Sequence, residues 1–422
     1  EQLAARAVAL NSLENDYGNL LSLFDITETQ EILRQNIQQV EGILNQLNVH
    51  TQTLSFVLFL EAKVIHGVAE PEIFLSQVDR LFVNPSPTQM FLVTNKVRNI
   101  CEAYADIHIQ RHTPASGIKT LQEAILKSRQ SSEQLTAAHG QFVKLCLLAK
   151  CYHVAFPLLE QDIFEIDPKG TKPRDYLSYF YYGGMVYIGL KDFSRAFHFF
   201  RLAITIPAST ASLIMVESFK KLVMVSLIHH GSVPPFPPEV EGLVVRQIKN
   251  NCSHYIQLSE MFSTNDLTGL RQFCETNREI FERDNNLGLL YQVTEALTEK
   301  LISMYTKCYI TLSLHDIAKG VELESAEMAE KYLLRMIEQG KICAVINMQD
   351  GMVDFAETSH KYNASQTQEL HKQIQKSMKL SRRLESLTNE MKQSEEFKVK
   401  KAVHETQTKA SGTGGTGGSN IF

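Results

Sequence analysis

Only between about Leu301 and Phe355 does the hydrophobic period read as strand-like rather than helical, in TLSLHDIAKGVELESAEMAEKYLLRMIEQGKICAVINMQDGMVDF and its N-terminal flank. Tyr309, Ile310, Thr311 and Leu312 form a short β-prone run. A helix is expected from Leu314 to about Gly320. Ser325 opens a second helix and Gly340 stops it, a serine N-cap paired with a glycine C-cap. Within it Ala326, Ala329, Leu333 and Met336/Ile337 recur at helical steps, so one face is apolar. ICAVINM, Gln349-Asp350-Gly351 and MVDF follow, and Asp-Gly between β-prone runs signals a hairpin. Strand, helix, helix, hairpin is the order of a winged helix.

A winged helix either reads DNA or docks on protein, and charge discriminates. Between Glu322 and Gly340 the acids are Glu322, Glu324, Glu327, Glu330 and Glu338, against the bases Lys331 and Arg335 alone. A groove-reading helix needs the opposite balance, because phosphate contacts supply most non-specific affinity. Protein docking is the expectation. The second hairpin strand, Met352–Phe355, should lie between Tyr309–Leu312 and an outer strand Ile342–Asn347. That outer strand carries no charge to protect its unpaired backbone. Ile342, Ala344, Val345 and Ile346 are therefore candidate interface residues, joining a neighbouring sheet by β-augmentation.

With 422 residues the chain is too long for one compact core. The first three hundred residues read as helical throughout. Thr27 and Gln30 suit a capping box. Leu33, Ile37, Val40, Leu44 and Leu47 then form a buried stripe. Amphipathic segments follow near Leu54–Ile65, Thr88–Ile107 and Ile118–Lys127, with breaks such as Asn84-Pro85-Ser86-Pro87. QFVKLCLLAKCYHVAFPLLEQDI, from Gln141, holds two helices joined around Tyr152. Phe180, Gly184, Tyr187, Ala196, Phe200, Ala203 and Pro207 follow the tetratricopeptide spacing, with Phe180 for Trp and Gly183 for Leu. A generic helical hairpin remains open for that unit. Many helices joined by short turns imply a stacked solenoid. GSVPPFPP, from Gly231 to Pro238, holds four of the twelve prolines and must be a loop. Helices resume near Val240, and a long one from about Leu287 leads into the winged helix.

After a loop to Asn363, a helix from Gln366 carries Leu370, Ile374, Leu380, Leu384, Leu387 and Met391, with Ser377 interrupting the repeat. The stripe is too short for a confident coiled coil, yet it needs a partner surface, and its six residues are further interface candidates. From His371 to His404 there are nine Lys/Arg and four Asp/Glu. That local +5 leaves −10 for the rest of a chain whose total is −5. The charges suit either an acidic partner or a solvated face. ASGTGGTGGS reads as a flexible tail.

The chain as a whole, at pI about 6.3, carries no global signature of nucleic-acid or membrane binding. The longest apolar run, LSFVLFL from Leu54, ends at Glu61 and is too short to span a bilayer. Glu1, Arg6 and Glu14 surround no apolar signal core. Seven scattered cysteines without a Cys-x-x-Cys pair point to a reduced compartment, cytosol or nucleus. No catalytic, cofactor or metal site is expected. His108 and His112 share an i, i+4 helical spacing, but Ile109 stands where zinc hydrolases carry Glu. Cys146 and Cys151 read as core packing. Phosphate-binding glycine loops and the G-x-S-x-G elbow are missing.

Helical repeats ending in a winged helix resemble the PCI family, scaffold subunits of the proteasome lid, the COP-nine signalosome and translation initiation factor three. The resemblance is carried by the Tyr309–Leu312 strand, Leu314-x-x-Ile317-Ala318, Ala326-Glu327-x-Ala329-Glu330, Met336-Ile337-x-x-Gly340-x-Ile342 and Gln349-Asp350-Gly351-Met352-Val353. LCLLAKCYHVAFPLL, YYGGMVYIGLKDFSRAF, AITIPA and RDNNLGL extend it over almost the entire chain and are most similar to the signalosome branch. It is weaker before about Gly117 and around GSVPPFPP. It implies an all-α, tetratricopeptide-like solenoid ending in a winged helix with a small sheet, then a C-terminal helix. The implied divisions are repeats at 1–180, a PCI domain at 181–357 with its winged helix at 305–357, a bundle helix at 364–404 and a tail at 405–422. It further implies a non-catalytic subunit of the complex that removes Nedd from cullin–RING ubiquitin ligases, in cytoplasm and nucleus. Winged helices of such subunits join edge to edge, their C-terminal helices gather in a bundle, and the implied neighbours are subunits one and eight. A proteasome-lid subunit and a winged-helix nucleic-acid binder are the alternatives.

Overall fold

The computed structural model describes residues 17–67, 70–167, 170–347, 349–355, 364–395 and 397–398. The expected loop after Phe355, the end of the expected bundle helix at 399–404, the tail from 405 and the residues before Tyr17 lie outside these.

The described residues open with helices α1 (Tyr17–Asp25), α2 (Thr27–Gln35), α3 (Ile37–Gln46), α4 (Thr53–His66), α5 (Pro71–Val83), α6 (Pro87–Met90), α7 (Thr94–Gln110) and α8 (Ile118–Ser128). Leu33, Val40, Leu44 and Leu47 are buried as their spacing requires, but the stripe is divided between two helices broken at Asn36, with Leu47 just past the end of the second. The expected capping box is replaced: Ile26 takes the N-cap position, and the Gln30 side-chain amide donates to the Phe24 carbonyl at 2.6 Å. The expected Thr88–Ile107 segment is likewise divided, between α6 and α7. Helix α4 is enclosed along almost its whole length. Even Lys63 is 2% exposed, and its ammonium is held by Glu41 at 3.0 Å and Gln77 at 3.1 Å. Such burial of a charge is tolerable only with partners.

The middle of the chain runs β1 (Gln134–Leu135), α9 (Ala137–Leu148), α10 (Tyr152–Leu159), β2 (Glu165–Ile166), α11 (Pro173–Gly189), α12 (Phe193–Ile204) and α13 (Leu213–His230). β1 and β2 pair in parallel, Gln134 opposite Glu165. This corrects the expectation that strand structure occurs only in the winged helix. The tetratricopeptide-spaced residues form the α11–α12 contact: Tyr187, Ala196, Phe200 and Ala203 are buried. A Cβ on Gly184 would stand 2.7 Å from the Phe200 ring, and one on Gly183 2.7 Å from the Phe199 ring. Glycine is what permits this approach.

Next come α14 (Gly242–Asn251), α15 (Ser253–Ser263), α16 (Leu267–Thr276), α17 (Arg278–Arg283) and the long α18 (Leu287–Cys308). The proline-rich loop before α14 is anchored by Phe236, whose ring stacks on Phe219 at 4.8 Å. Lys221, 4% exposed, donates to the buried Asn286 side chain at the start of α18. Asn286 in turn donates to the Tyr255 hydroxyl at 2.7 Å, which donates to Asp284 at 2.8 Å. Lys220 closes the network on Asp284 at 2.8 Å. These bonds fix RDNNLGL, and so the helix that carries the winged helix, against the repeats.

The winged helix is β3 (Thr311–Ser313), α19 (Leu314–Gly320), α20 (Ala326–Glu338), β4 (Ala344–Asn347) and β5 (Met352–Phe355), with sheet order β3-β5-β4. Ser325 caps α20, accepting from the Met328 N–H at 3.3 Å, and Gly340 stops it in the left-handed region at φ +67°. Gly351 turns the hairpin at φ +64°. α21 (Ala364–Gln393) follows. Ser377 interrupts its apolar repeat but not the helix. Among the described residues the buried apolar side chains from Leu20 to Phe355 form one continuous core.

Candidate functional site

The outer strand of the winged helix is β4, as its place in the hairpin requires. It begins at Ala344, two residues later than expected. Ile342 precedes the strand and is 6% exposed, within the same core as Val353 and Phe355. Its side chain stabilises the wing and is not available for docking, which corrects its assignment as a surface contact. Val345 is 68% exposed, whereas Ala344 and Ile346 are half-buried. What β4 offers a partner is therefore an uncharged backbone edge with Val345 on one side.

Helix α20 presents Glu327, Glu330 and Glu338, and Glu295 of α18 faces the same groove. Of its two cations in this groove, Lys331 and Arg335, Arg335 is paired with Glu295 at 3.3 Å, and Lys341 beyond the helix is paired with Glu299 at 2.5 Å. The acidic side chains outnumber the basic ones on this face, and Arg335 and Lys341 are engaged internally. The arrangement repels phosphate.

The second candidate surface is α21. Leu370, Ile374, Leu380, Leu384, Leu387 and Met391 are all 39–67% exposed. This helix is tied to the repeats through its charged flank: Lys376 meets Asp162 at 2.8 Å, Lys379 meets Glu133 at 3.3 Å and Arg383 meets Glu165 at 3.2 Å. The acidic rim was not anticipated from sequence. The acids of EQDIFE, Glu160, Asp162 and Glu165, were its available signal, opposite a helix already known to be basic.

Among the described residues, the candidate groups named from the sequence do not come together as a catalytic centre. His108 and His112 do not share a helix face: α7 ends at Gln110, and His112 lies beyond it at φ +56°. His108 packs edge-on against Tyr104, ring centroids 4.6 Å apart, and burial lowers its pKa. Burial pushes the thiols of Cys101, Cys146 and Cys252 up to about 12, so they are core side chains and not thiolate nucleophiles. Cys151 is half-buried, its Sγ donating to the Ala149 carbonyl. No group of three potential metal ligands occurs among the described residues. Among them, no helix is long and apolar enough to cross a membrane.

Comparison with known proteins matches both halves of this architecture. The family described as COP9 signalosome complex subunit 3, N-terminal helical repeats, matches residues 15–244, and the PCI domain matches residues 270–357. A COP9 signalosome complex subunit 3 of Dictyostelium discoideum is 34% identical over 343 residues, 80% of this chain and 82% of the relative. One of Arabidopsis thaliana is 34% identical over 381 residues, 89% and 88% of the two chains.

Proposed function

The chain belongs to the COP9 signalosome complex subunit 3 family, and from that membership we propose that it is a non-catalytic scaffold of a signalosome, a hetero-oligomer built with other PCI subunits. Its contribution to removing Nedd from cullin–RING ligases is positional. The backbone edge of β4 joins the sheet of a neighbouring winged helix, with subunits one and eight as the neighbours. The stripe of α21 enters a bundle of C-terminal helices. Residues 1–180 act as repeats, 181–357 as the PCI domain and 364–404 as the bundle helix, and the assembly works in cytoplasm and nucleus.

The observation that carries this reading is the open, uncharged outer strand Ala344–Asn347 at the end of a repeat solenoid. Such an edge is normally blunted by charge or proline when it has no partner. The tagged chain, purified from cells and analysed by mass spectrometry, should bring down PCI subunits of the signalosome together with cullins. Recovery of proteasome-lid subunits in their place would reassign the scaffold, and recovery of duplex DNA in a salt-dependent manner would reassign the winged helix. The isolated chain should be inert toward a Nedd–cullin conjugate.

A further inference from the structure

The contact between α21 and the repeats is built from an unexpected element. The parallel pairing sets Gln134 opposite Glu165, and the N–H groups of Phe164 and Glu165 both donate to the Glu133 carbonyl, at 3.0 and 3.2 Å. The two-residue strands thus bring the carboxylates of Glu133, Asp162 and Glu165 to one rim. Lys376, Lys379 and Arg383 are spaced i, i+3 and i+7, which places them on one flank of a helix. Each meets one of the three acids. Leu380, on that flank, borders a cleft of about 650 Å³ walled by Phe164, Phe180, Phe197 and Leu202. Arg195 and His198 also face this cleft; burial and the neighbouring cations lower the His198 pKa, so Lys376 has one guanidinium as well as Asp162 beside it.

We propose that the acidic rim of Glu133, Asp162 and Glu165, with the cleft that Asp162 borders, is the resting seat of residues 376–383, a clasp that holds the C-terminal helix on the repeats until partner helices take it. The inference rests on the reading that α21 enters an inter-subunit bundle. Charge complementarity identifies the occupant: a basic helix flank on an otherwise acidic chain. The clasp is loose. Its ion pairs are solvent-exposed, and Arg383 Nε is enclosed without an acceptor. It also leaves the stripe accessible, with Leu370, Ile374, Leu384 and Met391 each at least 50% exposed. Leu380 nevertheless stays at the cleft, so the charged flank must let go before a partner helix can take the whole stripe, and release limits association.

Carbodiimide joins a lysine to a carboxylate already in contact, and applied to the full chain it should link Lys376 to Asp162. The yield should fall between about 0.1 M and about 1 M salt, as the screening length shrinks from about 10 Å to about 3 Å. Glu133→Lys should lower the same link by breaking the neighbouring pair, and Glu133→Lys with Lys379→Glu should restore it. A link that ignores salt, or that the charge swap does not restore, overturns the clasp. Glu133→Lys with Glu165→Lys leaves α21 unaltered and should speed association with the other subunits by about 2- to 30-fold, the weight of two exposed pairs. An unchanged or slower rate also overturns it. If the links behave as stated while Leu384→Asp with Leu387→Asp still assembles normally, the seat stands and the bundle reading falls. If that variant fails to assemble while the links are absent, only the clasp falls.

Discussion

Val345 lies opposite Asp354 across the wing hairpin, in a pair whose backbone groups turn toward each other. The far side of β5 fixes this. The Phe355 N–H donates to the Ile310 carbonyl at 2.7 Å, and the Leu314 N–H to the Gly351 carbonyl at 2.9 Å. Backbone groups alternate sides along a strand, so Phe355, Val353 and Gly351 face β3 while Asp354 and Met352 face β4. Val345 and Asn347 consequently bond inward, and the N–H groups of Ala344 and Ile346 point to the open edge.

Proline at these two positions should therefore act differently, because it removes one donor and fixes φ. Ala344→Pro takes away an outward donor: the chain should keep its circular dichroism and thermal midpoint but lose co-purification with neighbouring subunits. Val345→Pro takes away a ladder bond, worth about 0.5–1.5 kcal/mol before steric strain, and should damage the wing itself. If both variants fold and enter the complex normally, β4 is not the docking edge.

The wing was legible in the sequence because its signals are local. Ser325, Gly340 and Asp350-Gly351 each impose a backbone conformation on their immediate neighbours. The burial of Ile342 was not legible: ICAVINM is uniformly uncharged, and its pattern does not mark where the chain leaves the core and the strand begins. The β1–β2 pair escaped for another reason. Two residues show no period, and Gln134 meets Glu165 only after α9 and α10 have packed between them in sequence. Since that pair gathers the acidic rim, the flank of α21 that docks on the repeats was also hidden, although the apolar stripe was plain. His108 and His112 misled through spacing alone, which assumes a helix that in fact stops at Gln110.

Gly184 tests the repeat packing. Glycine to alanine inside a helix normally stabilises by about 1 kcal/mol. Here the new methyl would stand 2.7 Å from the Phe200 ring, on a fully buried side chain. Overpacking of that kind costs about 1–3 kcal/mol. Gly184→Ala should therefore lower the denaturant midpoint, and Phe200→Leu in the same chain should recover part of the loss. A midpoint raised by Gly184→Ala alone would mean that α11 and α12 are free to separate.

His139 should make the repeats acid-sensitive. It is 2% exposed, and its Nδ1 lies 3.0 Å from the Thr136 N–H, which requires a neutral ring accepting there. Burial pushes its pKa down to about 3, from 6.5 in the unfolded chain. The unfolded state thus takes up a proton first, so stability is full above pH 6.5 and falls as the pH drops toward 3. The slope approaches about 1.4 kcal/mol per pH unit for this one side chain. Burial also lowers His108, His198 and His229, which add in the same direction. His139→Gln should flatten the decline in urea stability on the acid side of neutrality; an unchanged slope would remove this histidine from the account.

The stripe of α21 separates folding from assembly. Leu384 is 67% exposed and Leu387 39% exposed in the free chain, so neither supports the core of the repeats. Replacing both with aspartate costs the helix only its intrinsic propensity, up to about 0.7 kcal/mol per residue. Thermal unfolding of the repeats should be nearly unchanged. In a bundle, by contrast, each leucine buried contributes about 1.5–3 kcal/mol before side-chain entropy is subtracted, and a buried carboxylate adds a desolvation cost. Leu384→Asp with Leu387→Asp should therefore leave a folded chain that co-purifies poorly with the other subunits. The two pairs made by Lys376 and Lys379 lie outside the change, so their carbodiimide links should persist in the free variant. Normal incorporation of this variant would mean that the stripe meets no partner helix, and that assembly rests on the wing edge alone.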